Sequence, residues 1–142
     1  MGSLAYDYVH GLVYMEYSTQ LTIWNPTMNR FFTLPKPEGI EGIYGTGYLG
    51  YDPLACKYKI LCIITGEKFG VLTLGAQESW RILSEGAPKH WYGSSCVLCI
   101  NGVIYYEGSF GVEPQTRAIM SFDLRSEKFH LIKYPNDDFR GS

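Results

Sequence analysis

A chain of 142 residues with 46% hydrophobic and 18% charged side chains has the makeup of one globular domain with a core. Twelve basic against 14 acidic side chains leave a net charge of −2, too mixed for a phosphate-tracking surface, so nucleic acid is not an expected partner. No apolar run reaches the roughly 18 residues that span a bilayer, and no signal-type segment opens the chain; a soluble, intracellular protein without a membrane partner is expected. Four cysteines, Cys56, Cys62, Cys96 and Cys99, sit largely in apolar runs and read as reduced, packed thiols.

Sixteen glycines and seven prolines cut the chain into short stretches rich in Val, Ile, Tyr, Phe, Trp and Thr, which is strand vocabulary. In chain order the expected strands are "LAYDYVH" and "GLVYMEY", then a hairpin in "IWNPTMNRFFTLPKP" from Ile23. "GTGYLGYD" and "KYKILCII" precede a second hairpin, "LTLGAQESWRILSE" from Leu72. "SSCVLCI" and "GVIYYEG" precede a third, "SFDLRSEKFHLIKYP" from Ser121. Residues 136–142 read as a polar tail. No segment carries apolar residues at helical spacing over three turns without a Gly or Pro.

The three hairpins repeat one another. Asn25, Leu74 and Asp123 recur at intervals of 49 residues, each followed six places on by an aromatic (Phe31, Trp80, Phe129) and nine places on by an aliphatic (Leu34, Leu83, Ile132). That period is about one kelch-type blade, a four-stranded antiparallel sheet whose outer two strands would be the repeated hairpin. The expected fold is all-β, a kelch-like propeller fragment of about three four-stranded blades in an open arc, over residues 1–135. The aromatic slot should pack between blades.

Motifs for chemistry are weak. Cys96 and Cys99 form a Cys-x-x-Cys, but on a strand positions i and i+3 face opposite ways, so packing is favoured over metal or redox use. His10, His90 and His130 accompany no nucleophile signature and read as loop or strand-edge residues. Asp52, Asp123, Glu127, Asp137 and Asp138 read as turn-forming or solvated rather than as a glycosidase pair. "GTGYLG", Gly45 to Gly50, matches Gly-x-Gly-x-x-Gly formally, but "YDPLACKYKIL" leads into a strand where a phosphate site needs a helix. No catalytic residue, metal or cofactor is expected, and the chain is not read as an enzyme.

Several phrases carry a more specific likeness: "HGLVYMEYSTQLTIWNPTMNRFFTLPKP", "GYLGYDPLACKYKILCI", "VLTLGAQESWRIL", "CINGVIYYEG" and "IMSFDLRSEKFHLIKYP". Over Val9 to Pro135 the chain resembles the plant F-box associated domain, type 3 subfamily. The resemblance implies a substrate-recognition module of Skp1–cullin–F-box ubiquitin ligases, working in the cytoplasm or nucleus. There an N-terminal F-box docks the Skp1-type adaptor, and the associated domain captures the target protein. The chain opens on strand-like residues where an F-box would be helical and leucine-rich. It is therefore expected to be either a domain of a longer protein or a short product keeping recognition without docking. The alternative is a stand-alone binder of protein or carbohydrate, or a degenerate family member.

Twelve tyrosines and three tryptophans exceed what the blades need for core filling, which favours binding. The loops expected to present a partner surface are "EGAPKHWYGSS" with Lys89, His90, Trp91 and Tyr92, "EGSFGVEPQTR" with Phe110, Glu113, Gln115 and Arg117, and "PEGIEGIYGTGY" with Tyr44.

Overall fold

The β-branched and aromatic runs become twelve strands in a computed structural model of the chain, which describes residues 4–17, 20–35, 47–64, 68–75, 79–83, 86–111 and 116–134. For residues 4–7, 17 and 91–96 only the backbone is described. The first sheet holds β1 (Leu4–Val9), β2 (Leu12–Tyr17), β3 (Gln20–Asn25) and β4 (Arg30–Thr33). The second holds β5 (Gly47–Asp52), β6 (Lys57–Ile63), β7 (Phe69–Thr73) and β8 (Arg81–Leu83). The third holds β9 (Trp91–Ile100), β10 (Val103–Phe110), β11 (Thr116–Asp123) and β12 (Lys128–Ile132). Each is a four-stranded antiparallel meander, as the repeat implies.

Turn chemistry fixes the hairpins. His10–Gly11 and Asn101–Gly102 are two-residue connections with positive φ at both positions (46° and 92°, 51° and 80°), the geometry whose twist matches paired strands. Three longer turns share another plan: a carboxyl or amide side chain accepts backbone N–H groups, and the fourth residue after it has positive φ. Asn25 accepts from Met28 N and is followed by Asn29 (φ 50°). Asp52 accepts from Leu54 N and Ala55 N and is followed by Cys56 (φ 56°), and Asp123 accepts from Arg125 N and Ser126 N and is followed by Glu127 (φ 58°).

The sheets stack through two apolar layers. Tyr14, Leu21, Ile23 and Leu34 of the first sheet meet Leu49, Ile60 and Leu72 of the second. On its opposite face the second sheet sets Tyr48, Leu61, Ile63, Phe69 and Val71 against Ile104, Tyr106, Met120, Phe122 and Phe129 of the third. Neighbours such as Tyr48 and Leu49 thus enter different cores, because successive strand residues point to opposite faces. Between sheets, β5 lies against β1 and β2 of the first sheet and against β10 and β9 of the third. We call the face of each sheet turned toward the next its front and the other its back.

The repeat survives with a one-residue adjustment. Strands β3, β7 and β11 end at Asn25, Thr73 and Asp123, so the structural intervals are 48 and then 50 residues, and the second hairpin turn is the one that gains a residue. The aromatic slot lies on the back of every sheet. Phe129 is buried in the second core and Trp80 packs against the first. Phe31, expected between blades, is instead 60% exposed and stacks on Trp24, because no described sheet covers the back of the first one. The aliphatic slot lies on the front: Leu34 and Leu83 pack into the two cores, whereas Ile132 is 44% exposed on the third sheet.

Parts of two expected loops prove to be strand. Trp91 and Tyr92 already belong to β9, where their backbones pair with Ser109 and Gly108. Phe110 ends β10 and Arg117 sits near the start of β11. Gly47 of the glycine-rich stretch opens a strand, not a helix.

Candidate functional site

The first hairpin of each sheet turns at the same end of the stack, and this brings together residues far apart in sequence. Tyr8, Val9 and His10 come from the first sheet, Tyr51 and Pro53 from the second, and Val97 to Cys99 with Asn101 from the third. Together they line a shallow depression of about 420 Å³. The His10 ring stacks on Tyr51 with centroids 3.9 Å apart and planes 8° from parallel, and Tyr58 lies beside Tyr51 at 4.6 Å. The Tyr58 hydroxyl donates to the His10 carbonyl oxygen, tying the first turn to β6. On the other side Tyr51 N donates to Cys99 Sγ at 3.4 Å.

An ion pair stands beside this rim. Asp52, 4% exposed, takes Arg125 Nη2 on Oδ1 at 3.0 Å, and that contact holds its carboxyl below the usual carboxylate range. The Tyr51 phenol is held above the ordinary tyrosine value, chiefly by its hydrogen bond with Cys56. Among the described residues the lining of this bowl holds aromatic and aliphatic side chains and no Asp, Glu, Lys or Arg, and the Asp52–Arg125 ion pair stands beside it. Among the described residues no three His, Cys, Asp or Glu side chains are grouped to hold a metal ion.

The residues expected to form a partner surface are placed differently. Lys89 is exposed. His90 is fully buried, which corrects its expected place on an exposed loop. Its Nδ1 lies 2.7 Å from the Pro88 carbonyl oxygen, which can only accept, so Nδ1 carries the proton and Nε2 accepts from the Tyr106 hydroxyl at 2.6 Å. Phe69 and Phe110 stack on the ring at 4.9 and 5.5 Å, and burial pushes its pKa down, leaving it neutral. Phe110 is consequently half inside the second core. It shares a second depression, about 380 Å³, with Arg117, whose Nη1 lies 3.4 Å from Glu107 Oε1. The side chains of Trp91 and Tyr92, and all of Tyr44, Glu113 and Gln115, lie outside the described residues.

The sequence reading missed His10, Tyr51, Tyr58 and Cys99 as a group. The available signal was the positions of the first turns: "HG", "DPLAC" and "NG" each follow the first strand of a blade, and equivalent turns of stacked blades must share one end.

The model of the family described as "F-box associated beta propeller domain" matches residues 1–142. The chain belongs to that family. Its similar relatives in Arabidopsis thaliana include "Putative F-box protein At4g09190", 60% identical over 130 residues and covering 89% of this chain and 34% of that protein. "F-box protein At5g18160" is 48% identical over 130 residues, covering 91% of this chain and 34% of that protein, and "Putative F-box protein At4g38870" is 44% identical over 140 residues, covering 89% and 32%. This F-box associated domain therefore spans about a third of the length of those relatives. Its three stacked meanders are the blades of the family's fold, and the bowl is built from the first strand of each and the turn that follows it.

Proposed function

We propose that the chain is the substrate-recognition module of an SCF-type ubiquitin ligase and that the bowl at the first-hairpin turns is where it takes its target protein. Membership in the F-box associated family supports the role. The observation that carries the place is the stacked His10–Tyr51 pair at the junction of three sheets: aromatic surface held rigid and presented to solvent suits a protein anchor. In this reading the chain binds and does no bond chemistry, and contact with a Skp1-type adaptor falls to an F-box of the kind for which the relatives are named.

The test is co-purification from plant extract with the proteasome blocked, using the chain alone, the chain fused to a generic F-box, and a His10→Ala, Tyr51→Ala double variant of each. Expected are partners shared by the two wild-type baits and lost from both variants, with Skp1-type adaptor only on the fusion. Partners retained by the double variant would move the surface elsewhere, to Lys89 and Arg117 first. An absence of shared partners would overturn the recognition role.

A further inference from the structure

The bowl has a neighbour of different chemistry. Asn101, on its rim, also lines a notch of about 190 Å³ together with Asp52, Leu54, Asp123, Arg125 and Ser126. The walls of the notch are the β5–β6, β9–β10 and β11–β12 turns, so it is a seam between the second and third sheets with both sides in place.

Its two carboxylates are used unequally. Asp52 accepts Leu54 N and Ala55 N from its own turn and receives Arg125 twice, Nη2 on Oδ1 at 3.0 Å and Nε on Oδ2 at 3.4 Å. Asp123 holds its turn through Oδ1 alone, which accepts Arg125 N at 2.9 Å and Ser126 N at 3.1 Å; among the described residues Oδ2 accepts no hydrogen bond. Two carboxylates against one guanidinium leave the notch one negative charge. Because Asp52 offsets Arg125, the remaining field is that of Asp123.

An aromatic hollow with a negative notch at its edge selects for two properties at once. Resting on the recognition role proposed above, we infer that the target enters as an extended segment that lays a ring residue, Pro, Tyr or Phe, against the His10–Tyr51 stack and reaches the notch with a Lys or Arg within three positions of it. A lysine ammonium has donors only, and the Asp123 Oδ2, the Ser126 hydroxyl and the Asn101 amide oxygen are acceptors. The exposed Asn101 amide can also donate to a passing peptide carbonyl. An acidic segment would meet Asp123 and an arginine that is already paired, and the chain's net charge of −2 opposes its approach.

The test is a printed library of ten-residue peptides, each with one Pro, Tyr or Phe and, one to three positions away, Lys, norleucine or Glu, probed with the 142-residue chain. Lys should be retained about twofold to fivefold over norleucine, with Glu last, and the preference should shrink at high salt. Asp123→Asn removes the charge and keeps a turn acceptor, as Asn25 does in the first sheet, and should abolish the preference for Lys over norleucine. Asn101→Asp should enlarge it, and this gain together with the salt dependence decides the matter if Asp123→Asn fails to fold.

A preference for norleucine or Glu, or a Lys preference that a folded Asp123→Asn leaves unchanged, would overturn the inference. Peptides chosen without regard to Lys, yet lost by the His10→Ala, Tyr51→Ala double variant, would remove this specificity and leave the bowl as the recognition surface. Binding indifferent to that double variant would remove both. No peptide held above background would overturn a segment-type target, and the co-purification then judges the recognition role by itself.

Discussion

Glu127 Oε2 lies 2.9 Å from Lys59 Nζ across the boundary between the second and third sheets. The same carboxylate takes Arg81 Nη2 at 2.5 Å, while Lys59 also donates to the Leu124 carbonyl oxygen at 2.6 Å. With Leu124 fully buried and Arg125 on Asp52, the whole turn from Leu124 to Glu127 is clamped onto the second sheet. Arg81 first and Lys59 next hold the Glu127 carboxyl below its ordinary value. A folded pKa below the unfolded one contributes stability above the unfolded value, and that contribution is lost as pH falls through the folded value. Glu127→Gln should therefore cost about 1–3 kcal/mol at pH 7, because it leaves the largely buried Lys59 ammonium without its counter-charge. Urea midpoints of variant and wild type should converge below about pH 4. Arg81→Ala should cost less, about 1 kcal/mol or under, since half of that side chain is in water.

Glu16 has the opposite sign. Burial raises its pKa more than the hydrogen bonds from Tyr14 and Gly47 lower it. A raised carboxyl contributes stability that is present below the unfolded pKa and is lost as pH climbs through the folded one. Glu16→Gln keeps an acceptor for Gly47 N without the buried charge. It should match or exceed wild-type stability at pH 7, by up to about 1 kcal/mol, and be the less stable of the two near pH 4. Crossing denaturation midpoints over that range would establish it, whereas a uniform loss at every pH would refute it.

His90 should act on stability and not on recognition. It fills a pocket between Phe69 and Phe110 and takes the Tyr106 hydroxyl, so His90→Ala leaves both a void and an orphaned phenol, at a cost of about 2–4 kcal/mol. Its depressed pKa means that the folded state resists protonation, so stability falls as pH drops below about 6.5, the unfolded value. His90→Phe should remove that slope while Tyr106→Phe keeps it. The measurement is melting temperature against pH for the three proteins.

The fold was legible because three hairpins wrote the same pattern, and stacked sheets need the same pattern. Phe129 and Trp80 were placed correctly on that ground. Phe31 shows the limit: its slot is identical, but burial depends on what lies behind the sheet, and no residue on β4 encodes that. The intervals of 49 residues masked true intervals of 48 and 50, since an extra turn residue ahead of Trp80 preserves the aromatic spacing while shifting β7 by one. The bowl was not legible from composition, because it is made by topology. His10, Tyr51 and Cys99 are about 40 to 50 residues apart, and each alone reads as an ordinary turn or strand residue. His90 was misplaced for the converse reason. "PKHWYG" looks like a loop, yet β9 begins at Trp91, and the residue before it drops inward onto Tyr106.

Thiol reactivity separates Cys62 from Cys56. Cys62 is fully buried on β6, and burial pushes its thiol up to about 12, so at pH 8 only about one in ten thousand molecules carries the reactive thiolate there. Cys56 stands exposed in the β5–β6 turn, its Sγ 3.6 Å from the Pro53 carbonyl oxygen. Native chain treated with iodoacetamide at pH 8 should therefore be labelled at Cys56 within minutes and at Cys62 only as fast as the second sheet opens. Peptide mapping by mass spectrometry reads both. Adding urea to the unfolding midpoint should bring Cys62 to the Cys56 rate, because the protection comes from the two cores on either side of β6 and disappears with them. Rapid native labelling of Cys62 would mean that the second sheet is not the buried middle layer described above.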